Sequence, residues 1–195
     1  MARERADWLR RRFGAEVEWR PFHLHPEYPA GGLPRAELVA KYGGDHFLQV
    51  RTMAEDAGLV MNPHPETIPN TRDALELGEW ARSFGDDTHE RMHDRLMDAY
   101  WVEGRDLTQW DVLAECVADV GLDPLAARDA VMSRDFAPAV DGWTQWAQRQ
   151  GINGVPAFIF DNRLMVSGAV PHEYLERAVA EVLDMRRRDD ELASS

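Results

Sequence analysis

Residues 151–168 read Gly-Ile-Asn-Gly-Val-Pro-Ala-Phe-Ile-Phe-Asp-Asn-Arg-Leu-Met-Val-Ser-Gly, and the fold is decided there. A loop of small residues delivers Val155-Pro156 into a short apolar run, Ala157 to Phe160, which reads as a strand. Asp161-Asn162 reads as a two-residue turn, because both residue types tolerate the positive φ of tight hairpins. The chain then returns as a second strand, Leu164 to Ser167. Pro156 has no N–H for a ladder, so it marks the strand's first residue or an edge. X-Pro bonds are also the only ones that adopt cis at modest cost.

On either side the pattern is helical. Residues 2–13 carry an apolar face of Trp8, Leu9 and Phe13, with Gly14 as a stop. Residues 16–24 alternate Val17 and Trp19 with Glu18 and Arg20 and predict a strand that Pro21 limits. Residues 25–34 read as a crossing loop. Helices follow at about 35–42, 44–57, 71–84, 87–102, 109–120 and 123–132, with Asn70, Asp86, Thr108 and Asp123 as N-caps. Residues 59–69, with Pro63, Pro65 and Pro69, form a rigid loop. A longer helix covers about 135–150, Pro171 opens the last helix, and residues 186–195 form a charged tail expected to fray. The outline is an α/β domain, 1–33 with 133–195, interrupted by a helical subdomain at 34–132.

Composition narrows the function. At 195 residues and 44% apolar content, the chain can bury roughly 70% of its unfolded surface, enough for one domain with an insertion. No apolar run approaches the ~20 residues of a membrane span, and the first residues lack a signal peptide's apolar core. A cytoplasmic protein with no membrane partner is expected. A net charge of −13 without a basic face argues against nucleic acid. Lys41 is the sole lysine among 22 basic residues, which disfavours Schiff-base chemistry.

Four segments carry a family resemblance: Val17-Glu-Trp-Arg-Pro-Phe-His-Leu-His-Pro, Asn70-Thr71 opening a helix, Tyr100-Trp-Val-Glu-Gly-Arg-Asp, and Gly154-Val-Pro-Ala-Phe. In order and spacing they resemble the DsbA family, most closely its FrnE-type cytoplasmic oxidoreductases, over nearly the whole chain. The resemblance implies a thioredoxin-like α/β fold with an inserted helical subdomain. It also implies thiol–disulfide exchange on a peptide or small thiol, with no cofactor. Family members place a Cys-x-x-Cys motif at the N-terminus of the first helix, where dipole and free N–H groups stabilise a thiolate. The proline loop offers backbone groups to substrate, so the carry-over reaches Gly154, Val155 and Pro156. It reaches no catalytic cysteine, because the chain has one cysteine.

The resemblance also places Met1 just after the first central strand and the motif, so that strand is absent from the expected fold. Without it, residues 16–24 and the hairpin lose a shared partner, at ~1–3 kcal/mol for each buried group left unsatisfied. A start assigned too far downstream, or a shortened chain, is therefore expected over an adapted homologue. An unpaired sheet edge would favour self-association as a homodimer. The rivals are a glutathione-dependent isomerase or kappa-type transferase, which uses a serine in place of the motif, and a non-catalytic binding module.

Other motifs read as structural. His89-Glu-Arg-Met-His93 matches the zinc-protease spacing. It lacks a third ligand dictated by spacing, with Glu103 and Glu115 only as candidates, and shares a face with Leu96 and Tyr100. A packing or surface helix is expected and no metal site. Cys116 lies beside Trp110, Leu113, Val117 and Val120 and reads as a small buried hydrophobe. His23, His25, His46, His64 and His172 read as surface or loop residues. Trp143 and Trp146 share one helical face and read as packing rather than as a groove.

Overall fold

The structure is a computed structural model that describes residues 1–43, 46–56, 58–62 and 66–193. The chain forms two compact units, residues 1–18 with 148–195 and residues 19–147.

In the first unit, α1 (Ala2–Phe13) buries Ala6 and Leu9 and is closed by Gly14 at φ 65°. The hairpin pairs β3 (Ala157–Phe160) with β4 (Leu164–Ser167), Phe158 opposite Val166 and Phe160 opposite Leu164. Asp161 and Asn162 both take φ 53°, as the turn required. The loop holds one more residue than expected, because Phe160 pairs with Leu164 and leaves Arg163 between them. The Arg163 N–H still donates to the Phe160 carbonyl at 2.9 Å. Helix α9 (His172–Ala193) lies against both strands and buries Leu175, Ala178 and Val182. The Arg5 guanidinium ties α1 to the approach of α9, donating to the Val170 carbonyl at 3.0 Å and the Ala169 carbonyl at 3.3 Å.

The expected fraying of the tail is corrected. Helix α9 continues through Ala193 because Arg186 forks onto Asp161 at 2.8 and 2.6 Å, and Arg163 pairs with Asp189. These pairs pin the last turns to the hairpin loop.

The second unit is helical: α2 (Arg35–Tyr42), α3 (His46–Asp56), α4 (Arg72–Arg82), α5 (Asp86–Met97), α6 (Trp110–Asp119), α7 (Pro124–Ser133) and α8 (Ala137–Arg149). Helix α5 runs on into a π-helical turn, Asp98–Val102. The core gathers Leu77, Met92, Leu96, Leu113, Cys116, Val117 and Val131 from α4 to α7. Asp123 caps α7, accepting the Leu125 N–H at 2.9 Å ahead of Pro124 at the first position. Asn70 accepts the Arg72 N–H at 3.0 Å, but Asp86 and Thr108 are not caps: Gly85 precedes α5, and Asp106 takes the Thr108 N–H. Two short strands read as loop in the sequence, β1 (Leu33–Pro34) and β2 (Thr67–Ile68), pair antiparallel. Gly32 makes room for them: at φ +76° a Cβ there would sit 2.4 Å from the Ile68 carbonyl oxygen. Pro63, His64 and Pro65 lie outside the described residues.

Residues 16–24 are not a strand. Their alternation is right, but a strand needs a ladder, and none pairs with them among the described residues. From Trp19 onward, side chains do the holding. Arg82 donates to the Trp19 carbonyl at 2.5 Å, and the Arg20 guanidinium lies 4.0 Å over Trp143. The His23 N–H donates to Thr144 Oγ1 at 3.0 Å. These contacts explain why residues 19–33 and 133–147 belong with the helical unit and not with the outer pieces.

A buried carboxylate ties that unit together. Glu76, fully buried, accepts from Arg72 Nε at 2.7 Å and from Arg134 Nη1 at 3.0 Å. Arg72 also grips Asp141 at 2.6 and 3.1 Å, and this bond holds the Asp141 carboxyl below its ordinary pKa. Glu76→Ala is expected to cost about 2–3 kcal/mol in urea unfolding, the scale of hydrogen bonds to charged groups. A loss near zero would mean the pairs contribute nothing net. Cys116 is fully buried, and burial pushes its thiol pKa up. The folded chain is expected to react with Ellman's reagent about 100-fold more slowly than free glutathione, and to release one thiol equivalent only when unfolded.

Candidate functional site

Gly154, Val155 and Pro156 form the bend that leads into β3, and the Val155–Pro156 peptide is cis. The Pro156 carbonyl accepts the Gly168 N–H at 2.8 Å, which closes the open end of the hairpin. That bond sets the parity of the strand. Phe158 and Phe160 direct their backbone groups toward β4, so Ala157 and Ile159 direct theirs away from it. The outward edge of β3 has no strand partner among the described residues. Val155 is 57% exposed, and among the described residues neither its N–H nor its carbonyl has a hydrogen-bond partner. A Cβ on Gly154 would meet nothing within 4 Å. Val155 therefore presents one free donor and one free acceptor, two residues before the unpaired edge begins at Ala157.

Ile159 and Met165 pair across the hairpin on one face and are 39% and 41% exposed. The other face, Phe158, Phe160, Leu164 and Val166, is partly buried. The exposed edge and face carry no charged side chain, against a net charge of −13 for the chain.

The remaining candidates are on other elements of the chain. His89 and His93 project from one side of α5, but no group of three metal-binding side chains forms among the described residues. His89 is buried against α4, its Nε2 3.0 Å from Arg82 Nη2 and 3.8 Å from Glu79 Oε1. Burial, then the Arg82 charge, pushes its imidazole down to about 4. His93 stacks on Trp19 at 4.2 Å. The packing-helix expectation stands, with polar partners the sequence did not suggest.

His23 lies in a loop, as one of its two expected settings had it, but it is not on the surface. It is buried, its Nε2 lies 2.9 Å from Asn70 Oδ1, and Asn70 Nδ2 donates to the Tyr28 carbonyl at 2.7 Å. Asn70 Oδ1 already accepts the Arg72 N–H, so His23 donates through Nε2. Sequence reasoning missed this knot because each partner lies in a different segment. Trp143 and Trp146 meet edge to face at 5.8 Å, half-buried. His25 is exposed beside Glu27 and stacked on Tyr28, and His172 stacks on Trp8.

Comparison with known proteins bears on this arrangement directly. Residues 1–180 match the DSBA-like thioredoxin domain family. The chain is 27% identical over 170 residues to the uncharacterised protein YwbO of Bacillus subtilis (strain 168), covering 85% of this chain and 82% of that one. Among solved structures, a probable DsbA oxidoreductase of Streptomyces coelicolor, SCO1869, superposes with a TM-score of 0.80 at 26% identity, over 93% of this chain and 81% of that one. A 2-hydroxychromene-2-carboxylate isomerase shares the fold at TM-score 0.70 and 18% identity, over 98% and 91% of the two chains. The cytosolic disulfide reductase DsbM of Pseudomonas aeruginosa shares it at 0.52 and 19%, over 70% and 72%. With its proline-led hairpin, last helix and large helical unit, the chain belongs to the DSBA-like thioredoxin domain family and has its thioredoxin-like α/β fold with a helical insertion.

Proposed function

We propose that this is a FrnE-like thiol–disulfide exchange protein in which residues 154–156 hold an extended peptide or a small thiol. The carrying observation is Val155, whose exposed N–H and carbonyl have no partner among the described residues and continue the open edge of β3. An extended chain laid beside it takes both groups in one register, as a strand does. Exchange is attack of a thiolate on a disulfide, followed by a resolving thiol. The 195 residues hold one cysteine, the buried Cys116, so the reacting pair is not among them. What these residues contribute is the platform. A cytoplasmic setting is part of the reading, and the 26% identity to a probable DsbA oxidoreductase supports its oxidoreductase side.

Two other readings use the same loop. Glutathione chemistry is favoured only by a neighbour that shares the fold at 18% identity. A binding module would keep the loop and the uncharged edge for a partner or a second copy, without catalysis.

The 195-residue chain is expected to leave insulin disulfides untouched above a blank; turnover would sink the reading. It is also expected to bind a labelled extended peptide or glutathione, with NMR shifts centred on residues 153–157. Val155→Pro, which deletes one donor, should weaken that binding about ten-fold. Shifts confined to the helical unit would overturn the site. Concentration-dependent dimerisation, measured by light scattering, would point to the second copy as the occupant.

A further inference from the structure

We propose that His89, acting through Arg82, is a proton-sensitive latch that pins the extended backbone at Trp19 to helices α4 and α5 near neutral pH and releases it in acid.

The geometry begins with Arg82, which only donates. One guanidinium nitrogen, Nη2, reaches the Trp19 carbonyl at 2.5 Å, Glu79 Oε1 at 3.2 Å and His89 Nε2 at 3.0 Å. Arginine has no lone pair to offer, so His89 Nε2 must supply one. The contact therefore requires a neutral imidazole with its proton on Nδ1. The ring lies over Gly78, where a Cβ would make an ordinary contact with Nε2 at 3.9 Å. One turn further along α5, His93 stacks on the Trp19 ring at an interplanar angle of 15°. The i, i+4 spacing that resembles a zinc motif thus fastens a single residue from two sides. One imidazole holds the arginine that grips the Trp19 backbone, and the other holds the Trp19 side chain.

Protonation breaks the first half. A charged His89 has no lone pair, sets N–H against N–H, and repels the guanidinium. The nearest acceptor for its new proton is Glu79 Oε1 at 3.8 Å, an oxygen Arg82 already uses. Arg82 stays on Glu79 through Nε at 3.3 and 3.2 Å, and the repulsion falls on Nη2, the nitrogen that bonds the Trp19 carbonyl. The charged groups facing His89 are Glu79 and Arg82 from α4, Asp86 and His93 from its own helix, and Arg20 from the extended segment. Burial first and then the Arg82 charge keep the ring neutral, helped by His93 and Arg20 and opposed by Asp86. Because the folded chain takes up this proton less readily than an unfolded one, the latch is whole above the ordinary histidine range. It weakens as pH falls from about 6.5 toward about 4.

Hydrogen exchange read by mass spectrometry on the whole chain, at about pH 7 and about pH 4.5, tests the latch. After correction for intrinsic rates, the peptide covering residues 18–24 should lose about ten-fold or more of its protection in acid while α4 and α6 keep theirs. In His89→Gln the amide oxygen still accepts from Arg82 but does not titrate, so protection of 18–24 should persist at both pH values. An unchanged acid response in His89→Gln overturns the proposal, as does wild-type protection lost evenly across all helices. Should that variant fail to fold, the nitrogen shifts of His89 in the wild-type chain decide. A neutral ring protonated on Nδ1 at pH 7, titrating together with the exchange, supports the latch; a ring protonated on Nε2 refutes it.

Discussion

A backbone segment taken out of water must find partners for its N–H and carbonyl groups, and that constraint organises both units of this chain. Within the hairpin the demand is met by a ladder between β3 and β4, fixed in register by Gly168 bonding back to Pro156. Beyond residue 18, a segment with the alternation of a strand has no ladder, and side chains take over. Arg82 bonds the Trp19 carbonyl, Thr144 receives the His23 N–H, and aromatic stacking fixes Trp19. The same sequence pattern thus ends in two structures, according to whether a partner strand is available.

Strand β3 turns its second edge outward, and that edge has no strand partner among the described residues. The outward groups of Ala157 and Ile159 lie on that edge, and the strand itself holds no charged side chain. The single cysteine of the chain is buried in the helical core with Leu113 and Val117.

The helical unit is held by ionic pairs that cross between segments distant in sequence. Glu76 on α4 takes Arg72 from its own helix and Arg134 from the link between α7 and α8, and Arg72 passes the connection on to Asp141 on α8. Arg134 holds a left-handed φ of 60° as it does so, a conformation side chains rarely favour. Such pairs orient neighbouring helices more specifically than the apolar core, which packs tolerantly around Leu77 and Met92.

Local order was legible in the sequence because its causes are local. The hairpin strands and α1 lie where periodicity and turn residues placed them. Asp161-Asn162 takes the positive φ its residues permit, and Asp123 caps α7. The loop of residues 154–156 could be singled out for the same reason. Tertiary structure alone decided whether residues 16–24 became a strand, whether the last helix continued past residue 186, and whether His23 and His89 were surface groups or buried partners. For three of these the outcome rests on a bond to a residue far along the chain: Arg82 for Trp19, Asp161 for Arg186, Asn70 for His23; for His89 it rests on Arg82 of the preceding helix. Composition and periodicity carry the preference of a segment, but the partner that satisfies its polar groups exists only once the chain has folded.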